Sequence, residues 1–406
     1  MTASSPIILA YSGGLDTSFC VPWLREQYNR PVVTVCINTG GIDATAAKSL
    51  EKRAIELGAD EHILIEAREI FFERVLRFLI AANARRGHLY PLCVGAERGI
   101  QAAMLAELAT KRKSKTVAHG CTAAGNDQVR FEVALHSINP DLEVLAPIRD
   151  ESFIREDQIQ YLKDHNFPMP PSGGDYSINR GLWGVTIGGK ETLNSLNTIP
   201  ESEWVLSAKA FSEPQNPQSL SIKFKKGIPV ELNDKKMSPV DLIESLEIIG
   251  GNFGIGRGIH LGDTVLGTKG RVAFEAPAAE ILINSHRELE KLNLSLLQSR
   301  VKDSVSASYS DFLHEGKQLD PACRDIEALL ISSQQKITGE VKLKLRPGNL
   351  FVEGVSSPYS LMDASKGTYG EAAGEWTAED ALGFSRILSL PGIFQSRADS
   401  SKQDTD

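Results

Sequence analysis

The segment Ser12-Gly13-Gly14-Leu15-Asp16-Thr17-Ser18 gathers three hydroxyls, two adjacent glycines and one carboxylate. It follows the apolar run "PIILAY" and precedes a helical pattern. Bare glycine N–H groups and the first turn of a helix therefore converge, an arrangement that attracts a multiply charged anion. No lysine completes G-x-x-x-x-G-K-[ST], and the adjacent glycines do not make G-x-G-x-x-G. Hydroxyls and amides must then carry the anion, and Asp16 could help hold a magnesium ion. The rival reading is a tight glycine turn with Ser12 or Asp16 as a simple helix cap.

A second chemical group lies in "HGCTAAGNDQVRFE", residues 119 to 132. Asn126 and Asp127 open a predicted helix and Arg130 follows three positions on, so Asp127 and Arg130 share a face. That face suits an amino acid, whose ammonium would meet Asp127 and whose carboxylate would meet the forked donors of Arg130. The rival is an Asn cap followed by a surface ion pair, worth about 0.2–0.5 kcal/mol.

The elements that must position these groups alternate along the first part of the chain. "PIILAY", "PVVTVCI", "EHILIEA", "KTVAHG" and "LEVLAPI" read as buried parallel strands, because strands covered on both faces are continuously apolar. Helical patterns at 16–28, 43–57, 68–86, 96–112 and 128–137 fall between them. Alternation predicts an α/β doubly wound sheet, whose ligands sit at the carboxyl ends of the strands. There lie "SGGLDTS", "NTGG" and "HGCTAAGND".

The proline- and glycine-rich stretch at 165–177 reads as a linker. Beyond it, hairpins turning at Lys226-Gly227 and Pro347-Gly348 and helices at 239–250, 276–300 and 322–335 predict an α+β domain. The expected division is a nucleotide-binding domain at 1–167, an α+β synthetase and oligomerisation domain at 168–365, and a C-terminal arm with a disordered tail at 366–406.

The chain has 406 residues, 41% of them hydrophobic, with 44 basic and 52 acidic residues and a net charge of −8. This balance argues against nucleic acid or an anionic membrane as a partner. The five cysteines are scattered without a C-x-x-C pair, so neither a disulfide framework nor a zinc site is indicated. With no signal-peptide pattern and no membrane-length apolar run, the expected location is the cytoplasm.

Residues Ala10 to Ser18 match A-Y-S-G-G-L-D-T-S throughout, and His119 to Glu132 resemble H-G-x-T-G-K-G-N-D-Q-V-R-F-E. Both patterns belong to the argininosuccinate synthase family, a branch of the pyrophosphate-loop ATP pyrophosphatases. Weaker matches follow at "YSINRGLWG", "KFKKGIPV", "GIGR", "FEAPA" and "EDALGFSRILSL". The resemblance implies that magnesium-bound ATP adenylates the ureido oxygen of citrulline with release of pyrophosphate, and that the amine of L-aspartate then displaces AMP. It assigns ATP to Ala10, Tyr11, Ser12, Gly13, Gly14, Leu15, Asp16, Thr17, Ser18, Ile37, His119, Gly120 and Gly125, with Asp16 also toward Mg2+. It assigns aspartate to Thr122, Asn126 and Asp127, and citrulline to Tyr90, Arg98, Arg130 and Ser177. Ser12, Asp16, Asp127 and Arg130 carry the catalytic roles. A homotetramer built through the second domain and the C-terminal arm is implied as well.

The departures concentrate on the citrulline side. The family's serine after the tyrosine becomes Gly95, a Ser becomes Thr186, a Glu becomes Gly188, and the citrulline tyrosine becomes Phe274. The carboxylate for the citrulline ammonium aligns with Gly262, unless a one-residue slip brings in Asp263. An ammonium buried without its carboxylate costs about 3–5 kcal/mol. The expectation is therefore a ligase whose acceptor is another molecule than ordinary citrulline. The alternatives are a true citrulline enzyme with compensating contacts, or an inactive nucleotide- or aspartate-binding relative. Pro391-Gly392 is expected to interrupt the C-terminal arm, since proline inside a helix costs about 3 kcal/mol.

Overall fold

The computed structural model describes residues 5–170 and 176–403, so the middle of the expected linker, 171–175, lies outside the described residues. Five parallel strands form the first sheet: β1 (Ile7–Ala10), β2 (Val32–Asn38), β3 (Glu61–Glu66), β4 (Thr116–Ala118) and β5 (Glu143–Leu145), in the order β3-β2-β1-β4-β5. Every residue of β2 is buried, the reason its sequence is apolar without alternation. On β1, Ile7 and Leu9 pack with Phe19 and Leu24 on one face, while Ile8 packs with Ala102 and Leu105 on the other. Helices thus cover both faces, as doubly wound sheets require. The order turns at β1, flanked by β2 and β4, and opens a crevice at their carboxyl ends.

The next strands are antiparallel. β6 (Ser177–Gly181), β7 (Gly184–Gly188), β11 (Arg257–Asp263) and β12 (Lys269–Glu275) form a sheet in the order β11-β12-β7-β6. β8 (Gln218–Lys225), β9 (Ile228–Leu232), β10 (Lys235–Lys236), β13 (Gly339–Arg346) and β14 (Asn349–Ser356) form another, ordered β10-β9-β8-β13-β14. The hairpin between β8 and β9 turns at Lys226 and Gly227, both with positive φ, 50° and 79°, which suits a two-residue turn matched to strand twist.

The single helix expected at 276–300 is two helices, Pro277–Asn293 and Leu296–His314. Ser295 caps the second, accepting from the Gln298 N–H while Gln298 accepts from the Ser295 N–H. This reciprocal pair satisfies orphan helix-start donors and makes a break favourable inside an apolar stretch. The second helix runs on to His314.

The chain separates into two compact units, with the boundary between Pro358 and Tyr359. In the second unit a helix runs over Ala378–Gln403 with Pro391 inside it. This corrects two expectations: Pro391-Gly392 does not interrupt the arm, and residues 396–403 are helical. A proline forfeits its own helical bond and crowds the preceding turn, but the bonds on both sides remain. No helix among the described residues is long and apolar enough to cross a membrane.

Candidate active site

A cavity of about 740 Å3 opens at the carboxyl ends of β1, β2 and β4. Ala10, Tyr11, Ser12 and Asp16 line it from the first loop, Ile37 to Ile42 without Asn38 from the end of β2, and His119 to Thr122 from the segment after β4. Gly125, Asn126, Asp127 and Arg130 close one side, and Ser177 to Arg180 of β6 another.

The loop is held open at its backbone. Gly14 caps the helix Leu15–Tyr28 in extended conformation with no side-chain hydrogen bond, so the first-turn N–H groups are not consumed by a capping side chain. This corrects the rival reading in which Ser12 or Asp16 is the cap. Gly13 has φ of 73°, a conformation that favours glycine, and its carbonyl accepts from Arg53 at 2.8 Å. The Ser12 and Thr17 hydroxyls lie 3.2 Å apart, Ser18 is buried, and Leu15 packs into the adjoining core. Gly120 approaches this loop closely: a Cβ there would stand 3.1 Å from Thr17 and 3.2 Å from Asp16. Burial pushes the Asp16 carboxyl pKa up, against Gln158 and Arg155, which lower it.

Asp127 begins the helix Asp127–Ile138. Its Oδ2 accepts from Arg98 Nε at 2.9 Å and its Oδ1 from an Arg130 terminal nitrogen at 2.7 Å. Burial works against the Asp127 carboxylate, but the two guanidinium groups outweigh it and hold the pKa well below the usual range. Arg130 is only 7% exposed, so the pair is not on the surface: a half-buried Asp127 carboxylate bridges two guanidiniums. Asn126 is tied across the site, its Oδ1 accepting from the Val265 N–H at 2.8 Å.

A smaller cavity of about 260 Å3 adjoins, sharing Arg98, Asn126, Asp127 and Arg130 with the larger. Its other walls include Arg86, Tyr90, Cys93 to Gly95, Thr186, His260, Gly262 and His314. Tyr90 is buried, donates to the Cys93 carbonyl at 2.5 Å, and stacks on His260 at 5.5 Å between ring centroids. Its core role and its place on the cavity wall are thus compatible. A Cβ on Gly95 would touch the Arg130 guanidinium at 3.4 Å.

Two expected citrulline residues line neither cavity. Phe274 is 2% exposed, its ring packed beside Tyr90 at 5.1 Å and against Gly258, because its position in β12 turns it into the core. Gly188 lies at the end of β7 opposite Ser177. Ser177 itself faces the larger cavity rather than the smaller.

Several wall residues escaped the sequence reading. Glu97 lines the larger cavity and is buried, with its Oε2 accepting from the Thr39 hydroxyl at 2.7 Å. Burial raises its pKa to about 7 despite Arg98 and Thr39. Thr39 belongs to "NTGG", the one sequence signal near it. Arg86, His260 and His314 come from three remote segments with no motif to mark them. His314 is held neutral by burial and by the neighbouring Arg130 and Arg86, which lower its pKa to about 3.

The arrangement offers an uncapped anion cradle, a half-buried carboxylate between two guanidiniums, and a second, cation-rich chamber. These match the needs of a reaction joining a phosphoanhydride, an amino acid and a third molecule.

Residues 6–168 match the family model described as the arginosuccinate synthase N-terminal HUP domain, and residues 176–394 match the arginosuccinate synthase C-terminal domain. The chain is 36% identical over 386 residues to a protein of Dictyoglomus turgidum named argininosuccinate synthase, covering 95% of this chain and 96% of the relative. A Listeria monocytogenes protein of the same name is 36% identical over 390 residues, covering 96% of each chain. One from Methanocaldococcus jannaschii is 37% identical over 354 residues, covering 87% of this chain and 89% of the relative.

Proposed function

The chain belongs to the argininosuccinate synthase family, and from that premise we propose that it is an AMP-forming carbon–nitrogen ligase that activates an acceptor with ATP and joins it to the amine of L-aspartate. The observation that carries this reading is that Ser12 and Asp16 of the uncapped loop and the Arg98–Asp127–Arg130 group line one cavity.

The acceptor oxygen attacks the α-phosphorus, the bond to the bridging oxygen breaks, and pyrophosphate leaves with the electron pair. Ser12, the glycine amides and the helix start stabilise the charge that grows on the leaving group. The aspartate amine then attacks the activated carbon, AMP departs, and the amine loses its proton. Thr122, Asn126 and Asp127 hold aspartate, and Arg130 holds the acceptor carboxylate. The family's magnesium ion would fit at Asp16, a partly exposed carboxylate that lines the cavity and whose pKa burial raises in the absence of a neighbouring cation. Such an ion, when bound, would supply charge neutralisation for the phosphates, with Asp16 as the residue that would hold it. Among the described residues no cluster of three or more His, Cys, Asp or Glu groups forms an all-protein metal site.

For the acceptor, the relatives' name favours citrulline over the altered acceptor expected from the sequence. One observation supports the second reading. Gly262, the position aligned with the carboxylate for citrulline's ammonium, has its side-chain space filled by His260, whose Nε2 would stand 2.5 Å from a Cβ there. Assembly through the C-terminal arm is supported by its apolar face, since Leu382, Phe384, Ile387, Leu388 and Phe394 are exposed. Cytoplasmic location accords with the cysteines, all of them unbridged.

The test is exchange of labelled pyrophosphate into ATP, followed by mass analysis of the product formed with citrulline and aspartate. Argininosuccinate with AMP release establishes the citrulline reaction. Exchange driven only by other acceptors establishes the altered one, and failure to bind ATP would refute the ligase.

A further inference from the structure

We propose that Arg53 is a positioning residue for the departing pyrophosphate: it turns the Gly13–Gly14 peptide so that an N–H faces the leaving group, and it places behind the loop the positive charge that the loop lacks. This rests on the ligase reading and adds to it a residue from a separate helix.

The segment from Tyr11 to Ser18 contains no lysine or arginine, although its task is to hold a multiply charged anion. A cation reaches it from the side. Arg53 lies on the helix Ala44–Glu56, and Leu50, three residues earlier, shares its face. That face packs directly on the loop. Gly13 has φ of 73°, and a Cβ there would stand 2.3 Å from Leu50 Cδ2 and 3.2 Å from Arg53 Nη1. Glycine alone permits both the conformation and the approach.

Arg53 Nη1 donates to the Gly13 carbonyl at 2.8 Å. In a planar trans peptide the N–H points opposite to the carbonyl, so anchoring the Gly13 carbonyl on Arg53 turns the Gly14 N–H away from that helix. It faces the Ser12 hydroxyl at 3.4 Å, and Ser12 lines the larger cavity. That distance is long for an N–H···O bond, which leaves the donor to a stronger acceptor such as a phosphate oxygen.

The charge of Arg53 is uncommitted as well. The side chain is partly buried, and among the described residues no carboxylate pairs with it. Nearby carboxylates are taken, Glu56 by Lys52 and Asp60 by Arg25. A guanidinium with one donor on a carbonyl and no anionic partner gains most from an anion. Its field reaches the cavity wall: burial pushes the Tyr11 phenol up, and Ser18 and Arg53 oppose that rise, while Tyr11 lines the cavity. As the bond from the α-phosphorus to the bridging oxygen breaks, charge grows on the departing pyrophosphate. A donor and a cation already fixed in place favour that charge without reorganisation. AMP, which lacks the β- and γ-phosphates, has no need of either.

The experiment measures binding of AMP and of inorganic pyrophosphate with magnesium, pyrophosphate exchange, and the unfolding midpoint for the full chain, Arg53→Gln and Arg53→Lys. Arg53→Gln should weaken pyrophosphate binding and slow exchange about ten- to a hundredfold, the scale of one charge-assisted hydrogen bond. Its AMP affinity and unfolding midpoint should stay near wild type. Arg53→Lys, which keeps the charge and a donor, should recover most of the loss. Wild-type pyrophosphate affinity in Arg53→Gln overturns the inference, and so does an Arg53→Lys variant no better than Arg53→Gln. Equal weakening of AMP and pyrophosphate marks a merely structural residue and overturns it too. Each of these outcomes leaves the ligase reading intact. Wild-type protein that binds pyrophosphate but exchanges none overturns the ligase reading, and the binding comparison still decides the role of Arg53.

Discussion

Glu97 and Gly181 are complementary: Glu97 Oε1 stands where any side chain on Gly181 would have to begin. The other oxygen of Glu97 accepts from Thr39, and Thr39 in turn accepts from Gln101 at 3.1 Å. The carbonyl of Thr39 also takes the Leu182 N–H at 3.0 Å. The turn after β6 is therefore seated on the end of β2 through a carboxylate that only glycine accommodates.

Gly181→Ala should destabilise the protein by about 1–3 kcal/mol, the usual cost of forcing a carbon into a filled interior. Denaturant unfolding measures it. The double variant Gly181→Ala with Glu97→Ala should recover most of the loss, because the overlapping oxygen is gone. A double variant as unstable as the single one would refute the steric account.

Glu97 should also give the protein a recognisable pH dependence. Its folded pKa of about 7 lies above the ordinary value of about 4.3 for an unfolded chain, with burial as the main cause. The folded state then holds the proton more tightly than the unfolded state. Its contribution is complete below about pH 4.3 and is lost as pH rises through about 7. The size is on the order of 3 kcal/mol. Glu97→Gln, which cannot ionise, should flatten that slope between about pH 4.5 and 7. Equal slopes in urea titrations of both proteins would count against the assignment.

The parallel sheet was legible because β2 is buried along its whole length and so carries an unbroken apolar run. The loops at its carboxyl ends followed from topology alone. The sheet containing β6 was not legible. Four of the five residues of Ser177–Gly181 are exposed and no alternation marks them, so no strand pattern stood out there. The break at Ser295 was hidden because apolar periodicity continues across it, and only the Ser295–Gln298 pair reveals the cap. Asp127 with Arg130 could be read from spacing. Arg98 as the second guanidinium on Asp127 could not be so read, and neither could the approach of Arg86 to His314. These contacts join segments that only the folded chain brings together.

Asp127→Asn should be more damaging than the loss of an aspartate contact alone. Removing this charge leaves Arg98 and Arg130 buried without their shared carboxylate. Breaking one side of a fully buried pair costs about 3–5 kcal/mol; solvent at the half-exposed Asp127 reduces this, but the unfolding midpoint should still fall together with activity. Arg130→Lys should keep much of the stability and raise the KM of the acceptor, because an ammonium cannot reproduce the fork that reaches both Asp127 and His314. Parallel unfolding and kinetic measurements separate the two variants. Equal behaviour would show that charge alone, not geometry, is what this position supplies.

The pyrophosphate loop makes the opposite prediction, a loss of chemistry without a loss of fold. The Ser12 side chain is exposed and lines the cavity, and among the described residues its hydroxyl hydrogen-bonds with Thr17 and the Gly14 N–H, so Ser12→Ala should leave the unfolding midpoint near wild type. If its hydroxyl stabilises the leaving group, pyrophosphate exchange should drop about 10²- to 10³-fold, as when one oxyanion donor is removed elsewhere. Asp16→Ala should also abolish adenylation, yet for a different reason. Burial raises the pKa of its carboxyl, and a cation brought with the nucleotide would favour the carboxylate form. The two variants therefore differ in magnesium dependence. Excess magnesium should partly restore Asp16→Ala, which lacks a ligand for the ion, and should do nothing for Ser12→Ala. Wild-type turnover in either variant would remove that residue from the mechanism.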